Sequence, residues 1–177
     1  MTTVVSCDPG VTATQSSQAN ALADRLEQGA RALAALAASL TDAQWQTRIP
    51  HDGRTIGVVI HHVGFMYPLE ISVAQTIGSG EPVEGLTSAQ VDEINAGHAA
   101  ENDGVTREAA LDLLMRNSAM AAAAVRAFSE EELAQAVPVS LYADAPLTCQ
   151  FFIEDHALRH SYHHLAKIQS TLNALKG

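Results

Sequence analysis

Eight histidines are spread over the 177 residues, and four of them, His156, His160, His163 and His164, lie within nine consecutive positions in the text HALRHSYHHLAKI. A plain core helix has little use for so many titratable rings. His160 and His164 stand one helical turn apart, the i, i+4 spacing that lets two imidazoles share one ion. At about 100° per residue, Ile153, Ala157, Ile168, Thr171 and Leu175 define an inward face, with His164 inside its arc and His160 at its margin. His156 and His163 fall to the other side. His156 with His160 is a rival pair of the same spacing. His156 and His164 are separated by about 12 Å along the axis, too far to reach one metal.

A second helix adds a third imidazole. With His62 as origin, Val58, Val59, Phe65, Met66, Leu69, Val73 and Ile77 all fall within about 60° of it. His62 thus sits in the middle of an apolar stripe, while His61 lies towards its edge or solvent. A buried imidazole needs partners for its ring nitrogens. Taken alone, His62 reads as a core residue hydrogen-bonded to another side chain. Taken with His160 and His164, it reads as the third ligand of one divalent ion. His51 and His98 are isolated, and a surface role is expected for each. Asn95 and His98 are nevertheless the link residues that could reach over the site.

Three neutral imidazoles leave a coordination position open, which marks a catalytic or ligand-binding metal rather than a closed structural one. Such an ion lowers the pKa of a water or a thiol and generates a nucleophile near neutral pH. The sequence singles out no catalytic residue and no general base: Glu154 and Asp155 lie off the arc of His160 and His164. Tyr67, Tyr142 and Tyr162 read as packing residues with hydroxyls that could serve as proton donors.

The elements that must hold these residues are helical. Residues 1–14 read as a loose lead-in and residues 15–177 as a single domain. Leu22, Leu26, Leu33, Leu36 and Leu40 recur at helical spacing and predict a first helix. Thr41-Asp42 reads as a break, and Pro50, Asp52 and Gly53 as a loop. Thr55 can cap a second helix running towards Ile77. Pro68 inside it removes one backbone bond and displaces the carbonyl of Gly64, which predicts a kink. A long link with a short helix over Thr87 to Asn95 follows. Thr106 can cap a third helix reaching Phe128, and Ser129 to Glu132 starts a further turn. Pro138 to Pro146 reads as a loop with a short extended piece, and Leu147 to Leu175 as the last helix. Four long helices without sustained alternation predict an all-α four-helix bundle with a long link between the second and third helices. The Ala-rich run Ala119 to Ala124 allows another helix to approach closely, within the bundle or between subunits.

Twenty acidic against ten basic side chains give a formal charge of -10. That field repels phosphate backbones and anionic bilayers, so neither nucleic acid nor membrane is an expected partner. No apolar run reads as a membrane span. The segment around Val4 to Cys7 does not read as an export signal. Cys7 and Cys149 are too few and too far apart for a disulfide framework, which suits a soluble protein of the reducing cytoplasm.

The stretch from Leu40-Thr41-Asp42 through Arg54-Thr55-Ile56-Gly57-Val58-Val59-Ile60-His61-His62-Val63, with His160-Ser161-Tyr162-His163-His164-Leu165-Ala166-Lys167-Ile168 far downstream, resembles the DinB-like metal-binding four-helix bundles. The resemblance covers nearly the whole chain after the lead-in, including the link around Asn95 and His98. Aligned on it, the family's ligands fall on His62, His160 and His164. It implies a rearranged helix order, a homodimer and one divalent ion: zinc, nickel or iron. It also implies a small-molecule substrate and, in some relatives, transferase or isomerase chemistry with a low-molecular-weight thiol. A metal-dependent hydrolase and a non-catalytic, stress-associated metal bundle are the alternatives. Two departures stand out. Arg54 occupies a position where the family often has Trp, and Gly64 to Tyr67 supplies no acid one turn after His62.

Overall fold

The computed structural model describes residues 16–175. The lead-in expected over residues 1–14, with Cys7, lies outside the described residues. Four long helical segments make the bundle: α1 (Ser17–Ser39), α3 (Ile56–Gly78), α5 (Arg107–Arg126), and a last one built from α7 (Cys149–Ile153) and α8 (Arg159–Ala174). Short helices α2 (Asp42–Trp45), α4 (Ser88–Glu101) and α6 (Glu130–Ala134) occupy the connections. A two-stranded antiparallel hairpin, β1 (Ala136–Val139) and β2 (Ala145–Thr148), precedes α7. The expected loop with an extended piece is therefore a hairpin, and the last helix begins at Cys149 rather than Leu147.

Each long helix starts where side-chain chemistry can satisfy its free N–H groups. Ser16 accepts from Ala19, Thr55 from Val58 and Thr106 from Ala109. Thr41 is more than a break, because with Gln44 it forms a full capping box that opens α2. That short turn brings Trp45 under the bundle, where its Nε1 donates to the carbonyl of Val105 at 3.1 Å.

α5 packs between α1 and α3, and α8 also contacts both, so α1 and α3 are nearly diagonal. This is the rearranged order rather than sequential neighbours. Leu22, Leu26 and Leu33 of α1, Val59, Ile60 and Val63 of α3, and Leu114 and Val125 of α5 meet in one core. Such burial contributes about 1.5–3 kcal/mol per large side chain. From the Ala-rich run, Ala121 and Ala122 turn into the bundle, while Ala119 and Ala123 remain exposed.

α3 is the central element. By length and composition it is apolar enough to cross a membrane, contrary to the reading of the sequence. Its most apolar window is 61% buried inside the bundle, as a core helix requires. α3 runs through Pro68, and the missing N–H leaves the Gly64 carbonyl without its helical donor. Asn117 of α5 donates to that carbonyl at 2.9 Å. Gly64 is required here, because a Cβ would stand 2.8 Å from the Leu114 nitrogen.

Between α7 and α8, Glu154–Leu158 forms a π-helical turn. A π-turn takes more residues per revolution than an α-turn, so facing reckoned at 100° per residue does not carry across it. The link between α3 and α5 is tied down at its start, where Val83 bridges β1 and Ser140 Oγ donates to the Leu86 carbonyl at 2.8 Å.

Candidate metal centre

α3 delivers His62 and α8 delivers His160 and His164 to one place. One ring nitrogen from each lies within 4.8 Å of the others. His62 and His164 are 4% and 5% exposed. The Nε2 atoms of His62 and His160 are 3.2 Å apart, and ring centroids are separated by 4.9–5.6 Å.

Burial, reinforced by His160 and Arg54, pushes the pKa values of His62 and His164 far below the ordinary imidazole range. Both rings are neutral at pH 7, the state in which imidazole offers a lone pair. The Nδ1 atoms of His62 and His164 are buried without a hydrogen-bond partner among the described residues. His160 is held differently: its Nδ1–H donates to Glu70 Oε1 at 2.7 Å. That bond fixes the tautomer and leaves the lone pair on Nε2, the arrangement of carboxylate–histidine–metal sites. Three convergent nitrogen donors, two of them held neutral and the third backed by a carboxylate, fit a borderline divalent cation.

A family model described as the DinB superfamily matches residues 25–168. The chain belongs to the DinB superfamily. Among solved structures it is similar to YfiT from Bacillus subtilis, a probable metal-dependent hydrolase with an unusual four-helix bundle topology. That match has a TM-score of 0.73 at 15% identity and covers 96% of this chain and 94% of YfiT. The mycothiol-dependent maleylpyruvate isomerase matches with a TM-score of 0.65 at 14% identity, over 85% of this chain and 60% of the isomerase. No curated protein matches the sequence.

In this DinB superfamily chain the acid missing one turn after His62 comes two turns after it. Glu70 is 5% exposed and is the one acidic residue of α3. A lone carboxylate in an otherwise apolar helix was the signal that could have found it. His98 is a correction: it is buried at 4% exposure, not on the surface. Its Nε2 lies 2.8 Å from His61 Nδ1, and its ring packs on Phe65. Burial lowers the His98 pKa to about 4. His61 and His98 together pin α4 to α3. Asn95 Oδ1 is buried without a partner. His51 is exposed, as expected.

A polar pocket of about 310 Å³ opens beside His160 and His164. Asp155 and His156, both in the π-turn, line it. The Tyr142 hydroxyl donates to Asp155 Oδ2 at 2.7 Å and lies 2.9 Å from His156 Nε2. Burial and the neighbouring Asp155 carboxylate raise the Tyr142 pKa, so the phenol keeps its proton. Arg159 stands on the pocket wall, paired to Asp155 at 2.7 Å, and exposed His163 completes the rim. Tyr67 and Tyr162 pack as expected. Tyr67 is fully buried with its hydroxyl 3.1 Å from Ser161 Oγ, and the Tyr162 hydroxyl donates to the Arg25 carbonyl at 3.1 Å.

Asp52 locks the loop that opens α3 onto α8. It accepts from Arg54 at 2.6 and 2.9 Å and from Lys167 at 2.7 Å. Burial alone would raise the Asp52 pKa, but the bonds and charges of Arg54 and Lys167 overrule it and hold the carboxyl well below its usual range. Arg54, which replaces the family's frequent Trp, therefore positions the loop electrostatically.

Proposed function

We propose that this protein is a metal-dependent enzyme that holds one divalent ion, zinc, nickel or iron, on His62, His160 and His164 and acts on a small polar molecule. The observation that carries this reading is the convergence of three imidazoles, two of them buried and held neutral, beside a polar pocket. When bound, such an ion supplies Lewis acidity that generates a nucleophile at neutral pH.

The chain's own residues do the rest. Glu70 holds the Nδ1 proton of His160 and keeps its ring oriented. Tyr142, Asp155 and His156 form a hydrogen-bonded set in the pocket wall that can hold a proton for a departing group. Arg159 offers a positive charge to an anionic substrate. Water is the favoured nucleophile, because that proton-handling set stands in the pocket, and the likeness to YfiT supports hydrolysis. Transfer to or from a low-molecular-weight thiol is the second reading, supported by the likeness to the mycothiol-dependent isomerase.

The test is elemental analysis of untagged protein beside His62→Ala. The expected result is about one zinc, nickel or iron per chain, lost in the variant. Wild-type protein that holds no metal after supply of divalent ions overturns the reading. Melting with and without chelator separates an enzyme from a structural metal bundle, for which removal would cost most of the stability.

A further inference from the structure

A second recess lies against the polar pocket and is of the opposite character. It measures about 250 Å³ and is walled by Leu69 and Val73 of α3, Ile94 of α4, Leu141 and Phe152. Glu70 and His156 line both recesses, so the two adjoin across these side chains. Leu69 and Ile94 are 41% and 39% exposed, so the recess presents apolar surface to solvent beside a polar site. Phe152 stacks on His156 with centroids 4.2 Å apart, which makes one continuous wall from the apolar to the polar side. Together the recesses reach the size of an ordinary small-molecule site, about 300–1,000 Å³.

We propose that this cleft receives the hydrocarbon arm of the substrate, whose reacting head occupies the polar pocket. The substrate class is thus amphiphilic: a compact polar or anionic head joined to a short aliphatic or aromatic arm. Glu70 refines the class. Its Oε2 is buried without a donor among the described residues, although Oε1 is engaged by His160. A buried carboxylate oxygen without a partner is costly, and a ligand with an N–H or O–H at the junction of head and arm satisfies it. A protein partner is disfavoured by the recess itself, which is small and concave rather than broad. α4 forms one wall, held to α3 through His98.

The head position rests on the metal reading above; the cleft does not. Two titrations keep them apart. Alkyl hydroxamates of two to eight carbons are titrated calorimetrically into zinc-loaded protein, and 1-alkanols of four to eight carbons are followed by methyl NMR of Leu69 and Ile94 in chelated protein. Affinity is expected to rise about three- to fourfold per methylene over the first few carbons. Leu69→Asn and Ile94→Asn should flatten that dependence, whereas Met120→Asn, on the exposed side of α5, should leave it intact. A flat dependence, or one that the two cleft variants do not change, overturns the proposal. Loss of zinc-dependent hydroxamate binding with a retained chain-length dependence sinks the metal reading and leaves the cleft standing.

Discussion

α3 presents two faces that solve opposite problems. Towards α5 it is dry and tight: Gly64 lets the helices approach until only hydrogen fits beside the Leu114 backbone, and Asn117 supplies the donor that Pro68 lacks. Towards α8 it is polar. His62 and Glu70 are buried there, and the nitrogens and oxygen left over, Nδ1 of His62 and of His164 and Oε2 of Glu70, have no hydrogen-bond partner among the described residues. Each such orphan costs about 1–3 kcal/mol. One face of a single helix thus supplies stability and the other consumes it. That division is expected where a site is assembled for chemistry rather than for folding.

The sharpest way to break the comparison is to fill the dry face. Gly64→Val places a branched Cβ against the Leu114 nitrogen and Cα, which stand 2.8 and 2.9 Å from even a bare Cβ. Backbone cannot turn aside as a side chain can. The expected loss is about 3 kcal/mol in urea unfolding, the upper end for overpacking, with unchanged metal stoichiometry in the folded fraction. A loss under about 1 kcal/mol would mean that the two helices are not locked at this point.

The polar face should respond the other way. Glu70→Gln keeps the shape but removes the charge behind His160. Metal affinity should fall about 10- to 100-fold, measured by chelator competition, while the chelated protein keeps its melting temperature or gains, because an incompletely partnered buried carboxylate is gone. A large loss of stability in the chelated variant would make Glu70 a structural residue.

How much of this was legible in the sequence follows the same divide. The dry bundle was readable, because helix periodicity and cap residues are local: Thr55 and Thr106 stand at caps, and Leu22, Leu26 and Leu33 point inwards as their spacing requires. The convergence of His62, His160 and His164 was readable for the same reason, since each sits on a regular stretch of helix. His98 was not, because α4 has almost no amphipathic pattern and its burial depends on a partner 37 residues earlier. The place of Asp155 in the pocket wall was not readable, because the π-turn changes the angular step between residues and nothing in local propensity marks it. Glu70 escaped because it was sought one turn from His62 rather than two.

The smallest effect concerns how the polar side is clamped shut. Asp52→Asn weakens two charged hydrogen bonds from Arg54 within the loop opening α3 and the one from Lys167 of α8, and should cost about 1–2 kcal/mol at pH 7. Its pH dependence separates it from the histidines. The folded Asp52 carboxyl is held below its usual range, so the unfolded chain binds the proton first as pH falls. Its contribution is therefore full above about pH 4 and is lost below that, through the depressed folded value. The buried imidazoles also have lowered values, with His98 at about 4, but here the charged form is the protonated one. The unfolded chain takes up these protons from about pH 6.5 downwards, so metal-free protein loses stability across that higher window. Thermal melts of chelated protein from pH 7 to 3 should show both losses in the wild type and only the histidine loss in Asp52→Asn. If the variant and wild type stay parallel down to pH 3, the loop is held by packing and not by this ion pair, and the polar face would share the dry logic of its opposite.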